Sequence, residues 1–477
     1  MHYLRPTLLS LACLLCAPAS ADDLPTFGDS SAGIVSQREE RELGHAYLSI
    51  IRGQTSQIPD PVLKDYLESN VYRLAESSEV QDRRFNFILL KSPQLNAFAA
   101  PGGIIGVNGG LFLYAQTEGE FDSVLAHELA HLSQRHFARG IEARQQMQVP
   151  LMAAMLGSII AMAAGAGDAG FAALASTQAA AFQAQQRFSR QNEQEADRIG
   201  MQTLQDAGYD PRSMPNMFGR LMSQYRYDSK PPEFLMSHPV SESRIADTSN
   251  RAEQYPPGGI TDTLRYQLVR ARVQLIFEDT PGLAAKRFRA MLVEEPTSDP
   301  ARYGLAIAQI KGAQFKPAGE NLQQLLSKAP NEIVYNLAQV ELDMAAKQLP
   351  EVRARIDKLL KAFPNNYPVL QALTDLQVKE GKTSAAEATL EKLVKQRPYD
   401  PDIWYQVAEI RGQTKNIIGL HQARAEYFAL VGDYPQAIEQ LSLAKRRAAS
   451  NFPLASRIDA RQKELITEQD IIQSMMR

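Results

Sequence analysis

Cysteine is nearly missing from this chain. Only Cys13 and Cys16 occur among 477 residues, both in the N-terminal stretch MHYLRPTLLSLACLLCAPASADD. That stretch has an Arg, an apolar run from Leu8 to Ala17, and then Ala19-Ser20-Ala21. It reads as a secretory signal peptide, residues 1–21, cut after Ala21. The mature chain then has no disulfide, no thiolate ligand and no thiol nucleophile. Leu15 precedes Cys16 where lipoprotein signals carry a small residue, so no lipid anchor is expected. A soluble protein of a bacterial periplasm is the expectation.

An excess of one charge is lacking too. The net charge is −3 with 22% charged residues, so nothing offers the strongly basic face that nucleic acid requires. Long apolar runs are scarce. The longest, VPLMAAMLGSIIAMAA at 149–164, has 16 residues, short of the roughly 20 a spanning helix needs. Glycines at 165, 167 and 170 follow it. Residues 149–184 therefore read as a helical hairpin packed on the protein, or as a flap that touches lipid or covers an active site.

What is present divides the chain. At roughly 150 residues per domain, its length suggests two or three units. A helix is expected in REERELGHAYLSIIRG and a second after Asp60-Pro61. Residues 84–107 predict two or three strands, with turns at Ser92-Pro93 and Pro101-Gly102-Gly103. Thr117-Glu118-Gly119-Glu120 is a capping-box pattern that opens a helix running to about Arg139, where Gly140 ends it. Its apolar positions, Phe121 to Phe137, predict a buried face. Another helix spans about Ser189 to Ala207. Asp210-Pro211 opens the next, and YDSKPPEFLMSHPV reads as extended before a helix near Ser241.

After the linker Tyr255-Pro256-Pro257-Gly258-Gly259 the sequence repeats. Pro296, Pro330, Pro364 and Pro398 are spaced by 34, 34 and 34, and each follows an apolar-periodic helix. A 34-residue helix–turn–helix period ending in proline is the tetratricopeptide pattern. About six helical pairs are expected from residue 262 onward, stacked into a superhelix with a concave groove for partner segments. The alternative is a helical scaffold that only stabilises its neighbour.

The chemistry-bearing stretch is VLAHELAHLSQRH, residues 124–136. With seven His in the chain, a chance H-E-x-x-H is an event on the order of one per cent, so coincidence explains it poorly. His127 and His131 project from one helix face about a turn apart, which suits two ligands of one tetrahedral Zn²⁺ with Glu128 beside them. Without cysteine, the third ligand must be His, Asp or Glu. In SRQNEQEADRIG, Glu193 and Asp197 are four apart and return 62 residues after His131. They read as an acidic helix face or as a carboxylate pair at the edge of a packed one. His45 and His136 look less relevant, the latter being rotated well off the ligand face.

Taken in order, NAFAAPGG, His127-Glu128-x-x-His131, Glu193-x-x-Ala196-Asp197 and SHPVSESR resemble the M48 group of zinc metallopeptidases. The resemblance implies a multidomain, mainly α chain. An α+β zincin-type (gluzincin) metallopeptidase domain with a small β-sheet would span 22–255. After a linker, 256–261, an all-α tetratricopeptide superhelix would fill 262–477. It also implies that His127, His131 and Glu193 bind one Zn²⁺, that Glu128 is the base, and that Asp197 supports a ligating histidine. His238 and Arg244 become candidates for stabilising the oxyanion, or His238 for capping the metal. Asn96, Ala97, Phe98 and Ala99 become the strand on which a substrate chain lies. The repeat-bearing, exported members of the group imply a role among misfolded or stalled outer-membrane proteins and their assembly machinery. The competing class is an assembly adaptor acting mainly through its repeats.

Overall fold

The computed structural model describes residues 36–145, 189–225 and 233–475. The signal peptide and the 149–184 hairpin lie outside the described residues. Among the described residues no helix is long and apolar enough to cross a membrane.

Local chemistry starts each element. Ser36 and Glu39 close a capping box on α1 (Gln37–Gln54). Asp60 accepts from the N–H groups of Val62 and Leu63, and Pro61 opens α2 (Pro61–Glu76). Three strands follow: β1 (Asn86–Leu90), β2 (Ala97–Ala100) and β3 (Ile104–Asn108). The sheet order is β1-β3-β2, with β1 parallel and β2 antiparallel to β3. Gly102 and Gly103, both at φ 77°, make the tight corner between β2 and β3, a conformation that side-chain-bearing residues avoid. Every residue of β3 is buried. β2, at the edge, is left with one outer side unpaired in the sheet.

A short α3 (Gly109–Tyr114) leads into α4 (Glu118–Ser133), capped by the Thr117 hydroxyl. Residues 118–130 of α4 are buried without interruption. The expectation was one buried face, but α4 runs through the middle of the domain, with α2 and β2 packed against it. It also ends sooner than expected. Arg135 takes φ 49°, and a separate helical stretch, α5, occupies 136–145 with Gly140 inside it. Phe137, placed by periodicity on the buried face, is 47% exposed because the axis has turned.

Helix α6 runs through 189–206, followed by α7 (Ser213–Tyr225), the short α8 (Glu233–Ser237) and α9 (Glu242–Ala252). Part of the expected extended stretch is therefore the helix α8. Residues 261 and 262 are stitched to the start of α4. Gly119 N–H donates to the Thr261 carbonyl and Glu118 N–H to the Asp262 carboxylate, so two otherwise free helix-start donors are satisfied.

Six helical pairs follow. They are α10 (Leu264–Ile276) with α11 (Pro281–Glu294), α12 (Asp299–Lys311) with α13 (Phe315–Lys328), and α14 (Ile333–Ala345) with α15 (Leu349–Ala362). Then come α16 (Tyr367–Lys379) with α17 (Thr383–Gln396), α18 (Pro401–Gln413) with α19 (Ile417–Leu430), and α20 (Tyr434–Arg447) with α21 (Phe452–Met475). Helices α11, α13, α15 and α17 each stop two residues before a repeat proline. The residue between has φ near −130° to −135°, because proline clashes with a helical predecessor. The superhelix curls around the N-terminal half. Arg272 of α10 pairs with Asp60 at 2.6 Å, Lys64 with Asp402 at 2.7 Å, and Arg397 with Glu68. A groove of about 1160 Å³, walled by Ile307, Val340, Met344 and Ile410, opens along the inner helices.

Candidate metal centre

α4 supplies His127, Glu128 and His131, and α6 crosses it at one tight point. A Cβ on Gly200 would stand 3.1 Å from His127 N and 3.2 Å from Ala126 C, so only glycine lets the two backbones approach unhindered. Glu193, Asp197 and Gly200 share one helix face at i, i+4 and i+7, which sets both carboxylates beside the histidines.

The donor atoms converge. One ligand atom each from His127, His131, Glu193 and His238 lies within 4.8 Å of the other three. His127 Nε2 is 3.0 Å from His131 Nε2 and 3.3 Å from His238 Nδ1. Glu193 oxygens lie 3.4 Å from His127 Nε2, 3.5 Å from His131 Nε2 and 3.1 Å from His238 Nδ1. A zinc ion at roughly 2.0–2.1 Å from tetrahedral ligands sets those ligands about 3.4 Å apart. The cluster fits such an ion in spacing and in donor type, three imidazoles and a carboxylate.

Charge points the same way. Burial by itself would lower the His127 pKa, but hydrogen bonds to Asp197 and Glu193 outweigh it and raise it to about 9. Burial opposes the Glu193 charge, yet bonds from His127 and His238 hold its carboxyl far below the usual range. Positive charge is drawn to the centre. Burial first, and then the charge of His127, push the His131 pKa well below the usual imidazole value.

Glu128 stands beside the cluster rather than in it. Its Oε2 accepts from Ala99 N–H at 2.9 Å, on the outer side of β2. Its buried Oε1 has no hydrogen-bond partner among the described residues. Burial raises its proton affinity above that of a free carboxylate. Glu128, His131, His238, Phe98 and Ala99 share a cleft of about 890 Å³. Of the four expected strand residues, Ala97, Phe98 and Ala99 belong to β2, and Asn96 precedes it with its carbonyl bonded to Asn108 N–H.

His238 follows α8 and enters the cluster, its ring tilted 33° against Phe234. Arg244 turns inward from α9. It is 5% exposed, and its nitrogens reach Asp197 at 2.5 and 2.7 Å, Glu193 at 2.9 Å and the Pro239 carbonyl at 3.0 Å. It does not line the cleft. Asp197 in turn lies 3.0 Å from His127 Nδ1.

His136 lies closer to the cluster than a straight helix would set it. Nine residues after His127 on one straight helix it would face away, but α4 breaks first. The left-handed turn at Arg135, which costs a non-glycine residue about 1–2 kcal/mol, brings His136 Nδ1 to 2.8 Å from His131 Nδ1. No spacing rule reveals that corner, since nothing in SQRH announces a positive φ.

Comparisons with known proteins follow this geometry. The family model described as Peptidase family M48 matches residues 61–252, and a tetratricopeptide repeat model matches 343–410. The chain is 34% identical over 97% of both lengths to a Vibrio cholerae protein named putative beta-barrel assembly-enhancing protease. It is 33% identical to the beta-barrel assembly-enhancing protease of Escherichia coli K12, over 94% of this chain and 93% of that one. The mitochondrial metalloendopeptidase OMA1 of Arabidopsis thaliana is 31% identical over 36% of this chain and 32% of its own length.

Proposed function

From a chain that belongs to peptidase family M48 and carries tetratricopeptide repeats, we propose a periplasmic zinc endopeptidase that acts in quality control and assembly of outer-membrane proteins. The observation that carries this reading is the convergence of His127, His131 and Glu193 beside Glu128 and the outer edge of β2. In this reading residues 1–21 are the export signal, 22–255 the catalytic unit, 256–261 the linker and 262–477 the recruiting unit.

His127, His131 and Glu193 would hold one zinc ion per chain. When bound, zinc lowers the pKa of a water to about 7 and polarises the scissile carbonyl. Glu128 Oε1 takes the proton of the attacking water and delivers it to the leaving amine. The Ala99 N–H fixes the other Glu128 oxygen, so the base is aimed before substrate arrives. A substrate strand pairs with the outer edge of β2, through backbone groups that carry little sequence preference. Asp197 and Arg244 hold His127 and Glu193 in place. The repeat groove recruits client proteins or assembly machinery.

Glu128→Gln tests the core claim. Cleavage of an unfolded protein substrate should vanish while one zinc per chain remains bound; undiminished cleavage rejects the mechanism.

A second reading, an assembly adaptor with its proteolysis held in check, has one observation in its favour. His238 Nδ1 stands where a fourth ligand would, 3.3 Å from His127 Nε2 and 3.1 Å from Glu193. Glu128→Gln separates the two, since an adaptor keeps its assembly role without the base.

A further inference from the structure

Two chains of close polar contacts run outward from the two helix-borne histidines. From His127 the chain is direct: Nδ1 to Asp197, and Asp197 to Arg244. From His131 it is longer. His131 Nδ1 lies 2.8 Å from His136 Nδ1, His136 Nε2 lies 3.1 Å from Glu195 Oε2, and Arg139 Nη1 reaches that same oxygen at 2.9 Å. Both chains end in a carboxylate backed by arginine.

One proton arrangement satisfies the longer chain when His131 Nε2 keeps its lone pair for a metal. His131 Nδ1 then carries the hydrogen and donates it to His136 Nδ1. His136 Nε2 carries its own hydrogen and donates to Glu195. No N–H faces an N–H, and no lone pair faces a lone pair.

We propose that His136 is a positioning residue for the metal centre: through it, Glu195 and Arg139 set the tautomer and aim of His131, as Asp197 does directly for His127. The inference rests on the reading of His127, His131 and Glu193 as ligands.

Two independent observations support it. The first is the backbone. In an unbroken helix a residue five positions on lies about 140° around the axis, out of reach of His131. The left-handed Arg135 removes that obstacle, and Glu40 of α1 holds its guanidinium at 3.3 Å, so the corner is tied to a second element. The second is burial. His136 is 6% exposed, and both of its ring nitrogens have partners. Imidazole accepts on one side and donates on the other; glutamine can do both, and phenylalanine neither.

The test uses purified zinc-loaded protein. Transfer of zinc to a chromophoric chelator is followed at one pH, with thermal unfolding of the zinc-free protein alongside. His136→Phe should bind zinc about 10–100-fold more weakly than wild type, with the zinc-free unfolding temperature unchanged. His136→Gln should recover most of that loss. If His136→Phe keeps zinc as wild type does, or if His136→Gln is as weak as His136→Phe, the proposal is overturned. Should His136→Phe not fold, Glu195→Ala decides: weaker zinc retention supports the relay, and unchanged retention rejects it. A wild-type chain that carries no zinc sinks the metalloenzyme reading itself, and this proposal with it.

Discussion

The Arg244 guanidinium grips Asp197 through two nitrogens, at 2.5 and 2.7 Å, and spends a third on Glu193 at 2.9 Å. One side chain thus orients both the carboxylate behind His127 and the carboxylate of the cluster. A lysine cannot reproduce this fork, because it offers a single point of charge. Arg244→Lys should weaken zinc binding about 10–100-fold. Chelator competition measures this, and unchanged affinity would mean that the fork is dispensable.

His238→Ala tests the gate. Its Nδ1 lies 3.1 Å from Glu193 Oε1 and its Nε2 is 3.5 Å from the base, Glu128. If the imidazole caps the metal at rest, proteolysis of an unfolded substrate should rise several-fold in the variant. A fall instead would assign His238 to the transition state.

Gly200→Ala sets two effects against each other. Alanine gains about 1 kcal/mol of helix propensity over glycine. The new Cβ, however, meets backbone atoms of His127 and Ala126 at 3.1 and 3.2 Å, and overpacking costs about 1–3 kcal/mol. Strain should win, pushing α6 off α4. The variant is expected to unfold at lower urea and to lose zinc more readily; higher stability with intact zinc would refute the close-approach argument.

Asp122 gives a pH prediction. It is fully buried on α4, and burial followed by repulsion from Glu118 pushes its pKa up to about 7 from 3.8. The folded state therefore holds this proton more tightly than the unfolded chain. Its contribution to stability is full below pH 4 and is lost as pH rises through about 7. By the size of the shift the loss is on the order of 4 kcal/mol. Asp122→Asn should remove the slope, so urea unfolding of the zinc-free protein at pH 5 and pH 8 would differ less in the variant than in wild type. Equal differences would show that Asp122 titrates normally.

Much of this molecule was legible in its residues. The repeat prolines at 296, 330, 364 and 398 predicted the helix ends because proline acts on its immediate predecessor, and that effect needs no tertiary context. The Asp60-Pro61 start and the Gly102-Gly103 corner were readable for the same reason. The pairing of His127 with His131 followed from helical geometry. Two contacts, His136 against His131 and Arg244 against Asp197, were not legible there, and for related reasons: one is fixed by a backbone break and the other by helix packing, neither of which has a period.

The amino-acid order alone therefore determined the local facts: where the capped helices begin, where the repeat helices stop before proline, which two imidazoles share a face, and which acids are spaced to sit together. Folding decided the rest. It let α6 touch α4 at Gly200, swung His136 back through a left-handed corner, and turned Arg244 inward onto two carboxylates. Those outcomes depend on distances between segments far apart in the chain, and such distances are set by packing the whole core at once.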